Sequence, residues 1–260
     1  MKNLDIETVE IKETDLLEYT KEDWKLYHEY RIVRHTEANP DDPFTDNEST
    51  EKVLRMQCTH PEFNLNFLSI IDKSTNKFLG RVIYGGFRET SASYEGNKHL
   101  LQFDLVLLKE YRNKGIEKRI LKKLVKYAKE KGFSLFVTGT DDKDGKAFLE
   151  EIGAQIALAG VENRLKLDEV DWNMITTWAN EGPKQSPNTE LKLVEKIPDD
   201  IIEKYSKVYT ETMNQQPLGD LDVGAIVVSP EFLRDQEKRR EELGRTHLTF
   251  YTIEQDGVIS

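Results

Sequence analysis

The run from Leu105 to Gly132 constrains the fold more than any other part of the chain. Leu105-Val106-Leu107-Leu108 has strand character, a turn containing Gly115 follows, and Ile116, Ile120, Leu121, Leu124, Val125 and Ala128 then recur at helical spacing. A second short apolar run, Phe133 to Thr138, comes after Gly132. Strand, helix, strand in that order implies a right-handed crossover. The helix opens near Gly115. First-turn N–H groups have no internal partner and carry the positive end of the macrodipole, so Arg112–Gly115 presents donors to an anion. Gly115 has no side chain to block approach, and Arg112, Lys114, Lys118 and Arg119 bring positive charge.

The flanking segments supply the rest of an α/β unit. A first strand is expected over Leu4–Ile11, and a helix over Glu22–Glu37 with Trp24, Tyr27, Ile32 and Val33 on its buried face. Asn39-Pro40-Asp41-Asp42-Pro43 breaks that helix, and Ser49 or Thr50 can cap another running to His60-Pro61. Leu65–Ile71 and Phe78–Phe87, joined by the turn-rich Asp72–Lys77, form a hairpin, with a bulge expected near Tyr84-Gly85-Gly86. His99–Leu108 is the next strand. Lys146–Ile152 reads as a helix ended by Gly153, and Ala154–Leu167 as a last strand.

The motif Arg112-Asn113-Lys114-Gly115-Ile116-Glu117 resembles the acetyl-CoA loop of the GNAT N-acetyltransferase family, whose signature is Arg/Gln-x-x-Gly-x-Gly/Ala after the fourth strand. The order of elements from about residue 5 to 167 resembles that family too. The resemblance implies an α/β (α+β) GNAT fold, a mixed central sheet flanked by helices. It also implies a gap between the fourth and fifth strands that holds the pantetheine arm of acetyl-CoA. By the same resemblance the amides of Leu105 and Leu107 face the pantetheine and the thioester carbonyl. Those of Asn113, Lys114, Gly115, Ile116, Glu117 and Lys118 cradle the pyrophosphate beside Arg112. Glu117 stands where the family has Gly or Ala, which weakens binding unless its side chain swings outward onto Lys114 or Arg119.

Acetyl transfer to an amine needs a base, and Asp104, just before Leu105, is the candidate; the alternative is a strand carboxylate that faces solvent. Glu89, Glu95 and His99 are looser candidates. The family often places a tyrosine acid where this chain has Leu149, and Asn where it has Asp144. The resemblance thus implies transfer of an acetyl group from acetyl-CoA to a small-molecule or peptide amine. The alternative is a catalytically degenerate CoA-binding or structural copy that supports an active partner domain.

Beyond Gly182-Pro183-Lys184-Gln185-Ser186-Pro187-Asn188 the opening pattern recurs: Glu190–Glu195, Ile201–Met213, Pro230–Leu243 and His247–Ile253 echo the first strand, the two early helices and the second strand. The expected organisation is a GNAT domain over 1–180, a linker over 181–189, and the N-terminal part of a second copy over 190–260, broken off at Val258-Ile259-Ser260.

Composition narrows the setting. The charge of −11 argues against a nucleic-acid surface and makes the basic stretch Lys109–Lys131 a local island suited to a small polyanion. One cysteine, Cys58, rules out an internal disulfide and is expected in packing. No apolar run has the length of a membrane span, no His, Cys and carboxylate spacing matches a metal site, and the expected setting is the cytoplasm. A homodimer is compatible with this reading. Trp24, Trp172 and Trp178 are expected as core or interface anchors.

Overall fold

Strand alternation and turn chemistry build a five-stranded sheet in the order β1-β2-β3-β4-β5, from β1 (Val9–Thr14), β2 (Phe63–Asp72), β3 (Lys77–Phe87), β4 (Leu100–Leu107) and β5 (Leu135–Val137). The structure, a computed structural model, describes residues 5–259; Leu4, placed in the first strand above, and Ser260 lie outside them. The β2–β3 hairpin is pinned at its turn by Asp72. Its carboxylate accepts from the hydroxyls of Thr8, Ser74 and Thr75 at 2.7–2.8 Å and from the Ser74 N–H at 2.9 Å. Among the described strands only the β4–β5 pair is parallel, and α4 (Ile116–Lys131) makes its crossover. Helix α4 begins at Gly115 and stops at Gly132, both left-handed.

Two cores cover the two faces of the sheet. Ile116, Ile120, Leu124 and Ala128 of α4 pack on Leu68, Ile70, Val82, Leu101 and Leu107, and each fully buried Leu or Ile here contributes roughly 2 kcal/mol. On the other face lie α1 (Lys21–Ala38), opened by a Thr20/Asp23 capping box, and α2 (Asn47–Cys58). Their Trp24, Tyr27, Tyr30 and Leu54 meet Phe67 and Phe78, with half-buried Cys58 at the margin. A short helix α3 (Tyr94–Asn97) precedes β4, and α5 (Lys143–Glu151) follows β5.

Several expectations are corrected. In α1 the buried face runs through Trp24, Tyr27, His28 and Tyr30, while Ile32 and Val33 are exposed, because the sheet lies under the aromatic stripe. The cap of α2 is Asp46, which accepts from the Ser49 N–H, not Ser49 or Thr50. The register shift in the hairpin falls at Ile70/Ile71, not at Tyr84–Gly86. Gly85 and Gly86 instead permit close packing: a Cβ on Gly85 would lie 1.9 Å from the Asn64 carbonyl oxygen. Residues 154–166 form no strand, and Ile156, Val161 and Leu165 are exposed.

The chain divides into two compact units, one reaching to Gln155 and taking in Val223–Ala225, the other made of the remaining residues. Gly224 joins the first unit by donating its N–H to Asn97 Oδ1 at 2.9 Å. The division thus falls near residue 155, not at 181–189, and residues 181–185 belong to α6 (Trp172–Gln185), where Trp172 and Trp178 are exposed, not anchored in a core. The second unit also holds a two-stranded antiparallel sheet, β6 (Thr189–Val194) with β7 (Thr249–Glu254), and α7 (Ile202–Asn214) with α8 (Pro230–Glu242). Ile197, Ile202, Val228 and Leu233 form its small core. Ile259 makes one bridge to Ile253, so the second unit repeats the strand–helix–helix–strand order read from the sequence.

Candidate functional site

Strand β5 is too short for its neighbour. It pairs with β4 only from Leu100 to Gln102, so Phe103–Leu107 run on with no strand paired along that edge, and a cleft of about 340 Å³ opens there. The chain leaves the sheet after Val137 through Thr138-Gly139-Thr140, and Asp142 caps α5 by accepting the N–H groups of Asp144 and Gly145. Backbone direction along β4 follows from one bond: Leu108 N–H donates to the Leu79 carbonyl of β3 at 3.0 Å. Since strand groups alternate sides, Asp104 and Val106 face β3, whereas the N–H groups of Leu105 and Leu107 face the cleft. Both residues line it.

At the far end of the cleft the turn is shaped as its sequence requires. Asn113 (φ +58°) and Gly115 (φ +86°) are left-handed, which turns the chain sharply into α4. Helix geometry leaves the N–H groups of Ile116, Glu117 and Lys118 without an intrahelical carbonyl. The Ile116 side chain is fully buried, so only its backbone can serve a ligand.

The side chains around this turn are engaged with the protein itself. Glu117, 8% exposed, points inward, and its Oε1 accepts the Asn113 N–H at 2.7 Å, where the helix dipole favours an anion. The outward swing onto Lys114 or Arg119 is therefore not adopted, and the Asn113 amide is not open. Arg112 donates from Nε to the Leu107 carbonyl at 3.1 Å and from Nη1 to Asp142 Oδ2 at 2.7 Å, with Asp144 at 3.8 Å. Burial pushes the Asp142 carboxyl up, but the Arg112 hydrogen bond and two amides outweigh it and hold its pKa below 3.8. Lys118 pairs with Glu151 at 2.5 Å, Arg119 donates to the carbonyls of Ile6 and Val9, and Lys114 Nζ lies 5.8 Å from the centre of the Tyr111 ring. The basic island thus braces the fold more than it faces the cleft.

Asp104 sits at the cleft mouth on the α1 side of β4. Its Oδ2 lies 2.8 Å from Arg81 Nη2, a diagonal pair across β3 and β4. Burial lowers the Arg81 pKa, but the charge of Asp104 more than compensates and raises it. Glu89, Glu95 and His99 are not among the lining residues, and Glu95 pairs with Lys98 at 2.7 Å. Asp144 and Leu149 do line the cleft, as their sequence positions imply.

Among the residues that the sequence does not single out are Arg34 and Glu37 of α1, which line the same cleft, and the Glu37 carboxylate accepts the Lys109 N–H at 3.0 Å. Nothing in their spacing marks them; they are brought in by the packing of α1 on the sheet. In all, the carboxylates of Glu37, Asp104, Glu117, Asp141, Asp142 and Asp144 line the cleft against the cations of Arg34, Lys109 and Arg112. A polyanion entering it meets an acidic wall.

Among the described residues no group of three or more His, Cys, Asp or Glu side chains is placed to hold a metal ion, and no helix is long and apolar enough to cross a membrane. The family model described as "Acetyltransferase (GNAT) family" matches residues 21–154. Among solved structures, a tandem GNAT protein from the clavulanic acid biosynthesis pathway is similar at 14% identity and a TM-score of 0.63, over 96% of this chain and 72% of that one. An acetyltransferase from Trypanosoma brucei has 16% identity and a TM-score of 0.43, over 61% of this chain and 99% of its own. An aminoglycoside acetyltransferase from an uncultured soil metagenomic sample, in complex with sisomicin, has 16% identity and a TM-score of 0.43, over 62% and 98%. No curated protein matches. At these identities the likeness to solved structures is one of fold, and the first of them follows the chain through both units.

Proposed function

Since this chain belongs to the GNAT acetyltransferase family, we propose that its first unit transfers an acetyl group from a CoA thioester to an amine. The observation that carries this reading is the open edge of β4. The N–H groups of Leu105 and Leu107 face a cleft bounded by the helix-opening turn, and amides so placed can hold a pantetheine arm and the oxyanion that forms on the thioester carbonyl. In the reaction the amine nitrogen attacks the carbonyl carbon, a C–N bond forms, the C–S bond breaks, and the thiolate leaves while the nitrogen gives up a proton.

Asp104 receives that proton in this reading. Its carboxylate is engaged with Arg81 at 2.8 Å, so its contribution is about tenfold, short of the hundredfold or more of a well-poised base. A thiol of pKa roughly 8.5 is a tolerable leaving group, so Leu149 in place of an acid does not forbid turnover. The acidic lining favours a cationic amine as acceptor, small or peptidic.

Thiol release from acetyl-CoA in the presence of a panel of amines tests the reading, with Asp104→Asn as the probe of the base. Turnover that drops about tenfold in that variant is the expected result. Turnover unchanged in Asp104→Asn would leave the cleft as the donor site and remove Asp104 from the chemistry. The inward Glu117 favours a second reading, a degenerate copy that binds thioester without turning it over; calorimetry that detects the thioester where no thiol is released would select it.

A further inference from the structure

We infer that the donor cleft selects for the thioester and its pantetheine arm and not for the nucleotide diphosphate, because Glu117 occupies the anion seat of the turn. This rests on the reading of the β4–β5 cleft as the donor site. The seat that the Asn113–Lys118 turn offers to a diphosphate already holds a carboxylate, with Glu117 Oε1 2.7 Å from the Asn113 nitrogen. That carboxylate is buried and follows Gly115 by two positions on the same chain, so no diffusing ligand is needed to fill the site. The cation best placed to neutralise an incoming phosphate, Arg112, is spent on Asp142 and the Leu107 carbonyl. An incoming diphosphate would have to displace Glu117 or lie against it, and it would also meet Asp142 and Asp144. Like charges brought together there repel.

The other end of the cleft makes no such demand. A pantetheine arm is uncharged, and the N–H groups of Leu105 and Leu107 face the cleft where its amide carbonyls can accept from them. The substrate class that fits is therefore a pantetheine thioester in which the nucleotide adds little or nothing to affinity. Glu117 is a specificity-determining residue, not a catalytic one.

Calorimetry on the full chain with acetyl-CoA and with S-acetylpantetheine decides the matter. In the unaltered protein the two dissociation constants are expected within about threefold of each other. In Glu117→Gly acetyl-CoA should bind at least roughly tenfold tighter, while S-acetylpantetheine stays unchanged. Glu117→Gln keeps an acceptor for the Asn113 N–H without the charge, so it guards against loss of folding and should show part of the same gain for acetyl-CoA alone. Acetyl-CoA bound more than tenfold tighter than S-acetylpantetheine by the unaltered protein would overturn the inference and leave the donor site standing. So would a Glu117→Gly effect equal on both ligands. Failure of every form to bind either thioester would overturn both the donor site and the inference drawn from it.

Discussion

The two ends of the β4–β5 cleft are built from the same strand–turn–helix yet meet a ligand in opposite ways. At the β4 end the donors are backbone groups left over when β5 stops at Val137, and the side chains of Leu105 and Leu107 offer them no acceptor. At the α4 end the donors are also backbone groups, but a side chain four residues on, Glu117, reaches back and satisfies one of them. The difference teaches that a motif made of main-chain amides is specified twice, by the conformation that exposes them and by what the neighbouring side chains are able to accept. Gly115 and Asn113 meet the first condition, and Glu117 alters the second.

The largest effects come from testing which way β4 points its amides. Val106→Pro removes a group that faces β3 and should cost about 3 kcal/mol or more of stability, read as a lowered denaturant midpoint. Leu105→Pro removes one that faces the cleft, where no ladder bond is lost. It should leave the midpoint within about 1 kcal/mol while weakening S-acetylpantetheine roughly tenfold, the worth of one hydrogen bond. Equal destabilisation by both would break the alternation on which the open end of the cleft depends. Next comes Arg112→Ala, which leaves the Leu107 carbonyl and Asp142 without their guanidinium. The side chain is 14% exposed, so about 2 kcal/mol is expected, seen as a thermal midpoint lower by several degrees. A midpoint that does not move would mean that the two ends of the cleft are not tied together through this residue.

Much of the fold was legible because it is written locally. The β2–β3 hairpin, the crossover helix between Gly115 and Gly132, and the four elements of the second unit are each fixed by periodicity and by turn residues a few positions apart, and all occur within a few residues of where the sequence puts them. What failed to show depends on distant partners. Residues 154–166 alternate enough to suggest a strand, but a strand needs an edge to pair with, and Ile156, Val161 and Leu165 stand exposed. The buried face of α1 does not show in the sequence because Ile32 is on its own the more apolar of Tyr30 and Ile32, and the contact of Tyr30 with Phe78 reverses that order. The same holds in the site. The turn follows from the motif, and the cleft and the cleft-facing Leu105 and Leu107 lie where the family resemblance implies, whereas the Arg81–Asp104 pair joins residues 23 apart in sequence, and the inward rotamer of Glu117 depends on the conformation of Asn113.

The smallest expected effect concerns acid, and it separates a tie that holds the cleft from one that merely decorates it. The Asp142 carboxyl is held below 3.8 by Arg112 and by two amides, so the folded state binds its proton less readily than the unfolded chain does. Its contribution to stability is then fully present above about pH 4 and is lost as pH falls through the lowered folded pKa. Because the side chain is about a third exposed, solvent screening limits this to under about 1 kcal/mol. Asp72 behaves with the same sign: its folded pKa is lowered to about 2, so its hairpin turn gives way over a range reaching lower still. Denaturant midpoints at pH 5 and pH 3 should therefore draw closer together in Asp142→Asn than in the unaltered chain, and Asp72 should contribute to the acid dependence that remains. An Asp142→Asn protein whose midpoint falls between those two pH values as steeply as that of the unaltered chain would show that the Arg112 bridge does not hold the α4 end of the cleft in solution. The contrast between a braced end and an open end would then rest on Glu117 alone.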